Sequence, residues 1–179
     1  NIIYNIMAAI RESDIVSKKI LNSDLIVPPN IINRNIDTSL LNILKKKIED
    51  KCLSEGYIIK GSTKIIERST GIYDKFNNDG NFKYNITFSV LVCLPVKEDI
   101  LLCIIEDINK AGIVANKLTH QITNKQHPIN IKVIIPTEYF RFNNLPIESY
   151  DIGDELYVKV VASRLKYNDN SILVIARGL

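Results

Sequence analysis

A chain of 179 residues that is 46% apolar and 24% charged is long enough for one large domain or two small ones, with a core that needs no disulfide or metal staple. A disordered or fibrous protein is excluded by that balance, and a strongly basic nucleic-acid binder by the net charge of only +3. The longest uninterrupted apolar run, Ile100 to Ile105, is too short for a membrane-spanning helix. The stretch Asn1 to Ile10 has neither the basic lead nor the small-residue cleavage site of a secretory signal.

Three cysteines, Cys52, Cys93 and Cys103, sit inside apolar segments, and an odd number so placed reads as reduced thiols half buried in an intracellular protein. The sequon Asn85-Ile86-Thr87 falls within a strand pattern and argues little for glycosylation. Isoleucine, asparagine and lysine together make 68 residues, the skew of an AT-rich genome, so single polar residues carry less functional weight than usual.

Taken in chain order, the first clear element is a helix over Thr38 to Glu55. Leu41, Leu44, Ile48 and Cys52 make one stripe widened by Leu40, Asp37 is placed to cap its start, and Gly56 to stop it. Lys45, Lys46 and Lys47 project around its back, the ordinary composition of a solvated face. The period then changes to two. Tyr57 to Ile59 and Lys64 to Arg68 read as short strands, and Ser69 to Asn81 as a long turn or hairpin tip. The strongest strand follows, with Tyr84, Ile86, Phe88, Val90, Val92 and Leu94 on one side and Asn85, Thr87 and Ser89 on the other, ended by Pro95.

Beyond Pro95 every segment is a strand. Ile100 to Ile108 and Gly112 to Ala115 form a hairpin, Ile129 to Ile135 alternates until Pro136, and Leu156 to Tyr167 and Ile172 to Ala176 flank the turn Asn168-Asp169-Asn170. Five strands in roughly 80 residues suit a small closed barrel such as the oligonucleotide-binding fold. The interval Pro136 to Gly153 is then its one long connection, the place for a helix or a functional loop.

Catalytic machinery is hard to find. His120 and His127 lie in a polar stretch with no acid or cysteine at ligand spacing, and no glycine-rich phosphate loop or nucleophile elbow is present. Asp151, Asp154 and Glu155 cluster at the entry to a strand, an ordinary home for acids and a weaker case for metal ligands. The reading is therefore of a non-catalytic protein with no catalytic residue, metal or cofactor. Residues 1–96 carry 13 basic and 10 acidic side chains and residues 97–179 carry 10 of each, so a barrel gripping RNA unaided is not expected.

The order of parts resembles a known family. Lys19-Ile-Leu-Asn-Ser-Asp-Leu-Ile-Val-Pro-Pro29, the helix Leu40 to Cys52, the strand Phe82 to Pro95 and the closing segment Ile152 to Ile175 are similar to the stalk subunit of multisubunit DNA-directed RNA polymerases. That family comprises the eukaryotic polymerase II seventh-subunit type and its archaeal counterpart. The AT bias and short length further resemble polymerase subunits of large cytoplasmic DNA viruses.

The resemblance implies an α+β chain. It would have an N-terminal extension at 1–16, an α/β tip domain at 17–96 and a five-stranded oligonucleotide-binding, S1-like barrel at 97–179. It implies docking on the large polymerase subunits at the clamp base through Pro28, Pro29, Thr70, Gly71, Ile72 and Tyr73. A companion stalk subunit, initiation factors and weakly held nascent RNA are the further partners implied. Lys110, Lys117, Arg164 and Lys166 are the expected RNA contacts on one barrel face. The location implied is intracellular, with no membrane: cytoplasm or virion if viral, nucleus if cellular. Two departures stand out. Ile113 occupies the position where such barrels often carry a base-stacking aromatic, and Ile100 to Ile105 lacks the usual glycine. The residue pattern taken alone also suits a free-standing RNA-binding barrel of translation or RNA metabolism.

Overall fold

A computed structural model of the chain describes residues 14–73, 80–117, 129–140 and 149–179. The first strand, β1 (Val16–Val27), runs into a single turn of 3-10 helix at Pro29–Ile31, where the fixed proline backbone starts the turn and Ile31 N–H bonds the Pro28 carbonyl at 3.1 Å. Helix α1 (Ile36–Ile48) follows, then β2 (Cys52–Leu53), β3 (Gly56–Ile58), β4 (Lys64–Arg68), β5 (Ile72–Tyr73) and the long β6 (Phe82–Cys93). β6 organises this half. β1 pairs with it antiparallel along all twelve residues, and β3, β4 and β5 share its other edge in succession, with β2 outside β3.

The second half comprises β7 (Ile100–Asn109), β8 (Gly112–Lys117), β9 (Ile131–Pro136), the one-turn helix α2 (Thr137–Phe140), β10 (Glu155–Arg164) and β11 (Ile172–Gly178). Its five strands close a barrel in the order β10-β11-β9-β8-β7, antiparallel except for the parallel pair β9 and β11. That order is compatible with an oligonucleotide-binding type of barrel. Among the described residues, no helix is long and apolar enough to cross a membrane.

Strand alternation separates two cores. On one face of β6, Tyr84, Ile86, Phe88, Val90 and Val92 are buried with Leu40, Leu44 and Ile48 of α1, while Leu41 and Leu94, expected on the same faces, are only half-buried. The opposite face is open near Asn85 but closes at its far end, where Leu91 and Cys93 join the barrel core together with Tyr57 and Ile59. Inside the barrel, Leu101, Ile105, Ile113, Ile131, Val133, Ile135, Val158, Val160, Ile172 and Val174 leave at most 1% of their surface exposed. The end of the sheet is thus held between helix and barrel.

The predicted helix ran to Glu55, but α1 ends at Ile48, with Glu49 extended and Asp50 left-handed at φ 57. Cys52 keeps the helical stripe in sequence only. It pairs with Tyr57 across the two-residue turn Ser54-Glu55, and the barrel's β10–β11 turn completes the ladder. There Cys52 N–H bonds the Asp169 carbonyl at 2.8 Å and Asn168 N–H bonds the Cys52 carbonyl at 2.9 Å. Those bonds come from residues more than a hundred positions away, so helical periodicity has no access to them. Asp37 lies inside the first turn, behind Asn35, and its carboxylate is held by Arg68. Gly56 is no helix stop. It opens β3 at φ +133, where a Cβ would meet Val92 Cγ1 at 2.5 Å.

Candidate functional site

The first candidate surface is the end of the sheet farthest from the barrel. Val27, Phe82 and Tyr73 lie side by side on β1, β6 and β5, and Ile26, Lys83 and Ile72 form the next row on the open face. Ile72 is 64% exposed, Ile26 51% and Tyr73 47%, so three large apolar side chains meet water at one edge. Tyr73 packs edge-on to Phe82 with ring centroids 6.0 Å apart, which fixes its orientation. Pro28 and Pro29 follow directly from Val27 and are exposed, as is Thr70.

The chain order therefore brings the expected docking residues together, and adds Ile26 and the exposed Ile32, which the sequence reading did not single out. Alternation along β1 was the signal for Ile26, since Leu25 and Val27 face the core. Gly71 has a structural task there: a Cβ would sit 2.6 Å from the Tyr84 ring and hydroxyl. Arg68 lies over the same ring, 5.9 Å from its centroid.

The second surface is on the barrel, and here the expected face divides. Lys110 lies in the β7–β8 turn, where the Thr137 hydroxyl bonds its carbonyl at 3.0 Å, at the opposite end of the strands from Lys117, Arg164 and Lys166. A six-residue β8 puts roughly 17 Å between Lys110 and Lys117. Lys117 is half-buried, stands opposite the core residue Cys103, and its charge acts on the Cys93 thiol, so it faces the junction with the sheet.

Arg164 and Lys166 do stay together. They line a cavity of about 330 Å³ with Asp169, Ser171 and Leu173. Lys132 belongs with them and was missed: Arg164, Leu173 and Lys132 are registered neighbours on β10, β11 and β9. Its place between the inward Ile131 and Val133 was the available signal. Ile113 is fully buried in the barrel core, and the outward row beside it is Val114, Ile134 and Ile175, all aliphatic. Among the described residues no aromatic lines the basic cavity, and Tyr167, next to Lys166 in sequence, is 71% exposed at the β10–β11 turn.

His120 and His127 lie outside the described residues. Asp151 and Asp154 form a turn, with Asp151 N–H bonding Asp154 Oδ2 at 2.9 Å, and Ile105 N–H bonds the Asp154 carbonyl at 3.0 Å. Among the described residues no group of three or more histidines, cysteines and acids is placed to hold a metal ion.

No protein-family model matches the chain. One curated relative does. The chain is 28% identical over 160 residues to an Acanthamoeba polyphaga mimivirus protein named "Putative DNA-directed RNA polymerase subunit", covering 84% of this chain and 75% of that protein. That span exceeds either the sheet half or the barrel half, so the likeness takes in both.

The junction between the halves has titration behaviour of its own. Cys52, Tyr57 and Cys93 are registered on three adjacent strands and all face the barrel core. Burial pushes the Cys93 thiol up to about 12 from 9.0, and burial with the neighbouring Asp50 carboxylate pushes the Tyr57 hydroxyl up to about 12 from 10.0. Both groups are therefore protonated in the folded state at pH values where the unfolded chain has lost the protons. Their stabilisation is complete below the unfolded values and declines between about pH 9 and 12. Denaturant midpoints should be flat from neutral pH up to that window and fall through it, and Tyr57→Phe with Cys93→Ala should flatten the fall.

Proposed function

We propose that this chain is a non-catalytic stalk subunit of the DNA-dependent RNA polymerase of a large DNA virus. The observation that carries the reading is the sequence similarity to the mimivirus polymerase subunit through both sheet and barrel, which supports an RNA polymerase subunit role with other polymerase subunits as partners. In this reading, residues 17–96 are the docking unit, residues 97–179 an S1-like barrel near the RNA exit, and residues 1–16 an extension. The apolar sheet end, with Ile26, Pro28, Pro29, Thr70, Gly71, Ile72 and Tyr73, enters a pocket at the clamp base.

The physical role is leverage. Two halves sharing one core across Cys93, Tyr57 and Ile59 transmit force as a single wedge, so seating the sheet end biases the clamp towards closure. The Arg164, Lys166 and Lys132 group offers a few charges to nascent RNA or an initiation factor, weakly, as the neutral balance of the barrel requires. Lys110 and Lys117 point elsewhere and contribute at most separate contacts.

Co-expression with the large polymerase subunits of the same virus is the test. The wild-type chain should co-purify in stoichiometric amount. Ile72→Asp with Tyr73→Asp should reduce its recovery at least about tenfold, because two charges would be buried without partners, while the free chain melts as before. A wild-type chain that stays outside the assembled polymerase would overturn the proposal.

A further inference from the structure

The long edge of β1 has no strand beside it among the described residues. Asn85 uses both backbone groups away from β1, its N–H bonding Ser69 Oγ at 3.0 Å and its carbonyl accepting from Ser69 N–H at 2.9 Å. Asp24, directly opposite, must therefore turn its own amide and carbonyl away from β6, and antiparallel alternation does the same for Lys18, Ile20 and Asn22. At Asp24 the edge is closed, because Lys47 Nζ bonds that carbonyl at 3.0 Å. From Lys18 to Asn22 it is open among the described residues, without the proline, bulge or covering helix that usually blunts an edge.

A cavity of about 320 Å³ opens beside that stretch on the helix side. Leu21, Ile48, Leu53 and Phe88 supply its apolar lining, with Lys47 and Tyr167 also at its wall. Charge is one-sided here. Asp24 is matched by Lys83 at 2.7 Å, whereas Lys19 and Lys47 donate to neutral oxygens, the Glu55 carbonyl at 3.1 Å and Ser23 Oγ at 3.1 Å. Lys47 also acts on the Asp24 charge, and Lys18 adds a third cation on the other face of the strand.

We propose that β1 accepts a short extended segment of a partner protein as an added strand between Lys18 and Asn22. Ladder hydrogen bonds to Ile20 and Asn22 hold its backbone, one large apolar side chain enters the cavity beside Leu21, and acidic side chains meet Lys18, Lys19 and Lys47. A nucleic acid has no backbone amides for such a ladder. A second copy of this chain would bring six of these cations onto one short pairing. The surface runs along the side of the sheet, apart from its apolar end, so the inference stands independently of the polymerase reading.

The probe is an end-blocked octapeptide alternating valine and threonine, with one central phenylalanine and two glutamates, titrated into the isotope-labelled full chain. Amide shifts should concentrate at Lys18, Ile20 and Asn22. Ile20→Pro should weaken binding at least about tenfold and leave the melting temperature near wild type, because the Ile20 N–H lies outside the β1–β6 ladder. A probe N-methylated on alternate backbone amides should lose the same affinity without any change to the protein. Lysines in place of its glutamates should also weaken it at least about tenfold at low salt, and Lys19→Glu with Lys47→Glu should reverse that order. Shifts elsewhere, or none, would overturn the proposal. So would a dimer that Ile20→Pro dissociates, or an edge that takes the probe only after residues 1–13 are removed.

Discussion

Replacing Gly112 by alanine should cost about 3 kcal/mol and lower the melting temperature by roughly 10 °C. Gly112 opens β8 just after the Lys110-Ala111 turn, at φ +146, where an L side chain is strained. The larger penalty is steric. A Cβ there would lie 2.1 Å from the Ile135 carbonyl oxygen and 3.0 Å from Pro136 Cα, both main-chain atoms of the paired strand β9. A flexible side chain could swing aside, but a carbonyl inside a closed barrel moves only by opening the β8–β9 ladder. Gly153 is the control. It too has positive φ, +98, but nothing lies within 4 Å of its Cβ position. Gly153→Ala should therefore cost only the backbone strain, roughly 1 kcal/mol. Thermal melts of the two variants by circular dichroism decide the matter. Equal losses would mean that conformational strain, not the approach of β9, makes Gly112 necessary.

Phe88→Ala should be as damaging, by a different route. Phe88 is 2% exposed at the middle of β6, between Leu21 of β1 and Ile65 of β4, in the cluster that buries Leu40, Leu44 and Ile48 of α1. Truncation removes a ring from a packed layer and leaves a void that the helix cannot fill, a loss of about 3–5 kcal/mol. The damage should be uneven. Hydrogen exchange should rise first in α1, which packs on the sheet through this cluster, while the barrel strands, with a core of their own, keep more of their protection. Ile20→Ala on the opposite face, at 64% exposure, should change stability by less than about 0.5 kcal/mol. Uniform loss of protection in α1 and the barrel would show that the two cores unfold as one.

Much of this architecture was legible in the residues. Period-two runs marked β6 and β9, because each has one face in a core and one outside, whereas β7 showed as an uninterrupted apolar run, and turn residues marked the hairpins. The two proline-marked and hairpin-tip segments named as a docking surface do lie together, since β1 and β5 both pair with the same end of β6. The basic face was legible only in part. Arg164 and Lys166 are close in sequence and stay close in space, while Lys110 and Lys117 end up at opposite ends of a strand. Lys132 joins Arg164 through register across three strands, which no spacing along the chain records.

Local periodicity and turn chemistry thus determined that α1 packs through Leu44 and Ile48 and that β6 and the later segments are strands, while β1 and β5 gave no comparable signal. Only the tertiary structure decided the rest. It ended α1 at Ile48 and made Cys52 a strand residue, because a barrel turn offers its backbone two hydrogen bonds. It buried Ile113 in the barrel core and turned the far end of β6 into the junction between two cores. Among the described residues it left the edge of β1 without a strand, since β6 takes every other strand of the sheet along its opposite side or beyond. Side-chain alternation is set by neighbours in sequence. Pairing, register and what covers a surface are set by neighbours in space.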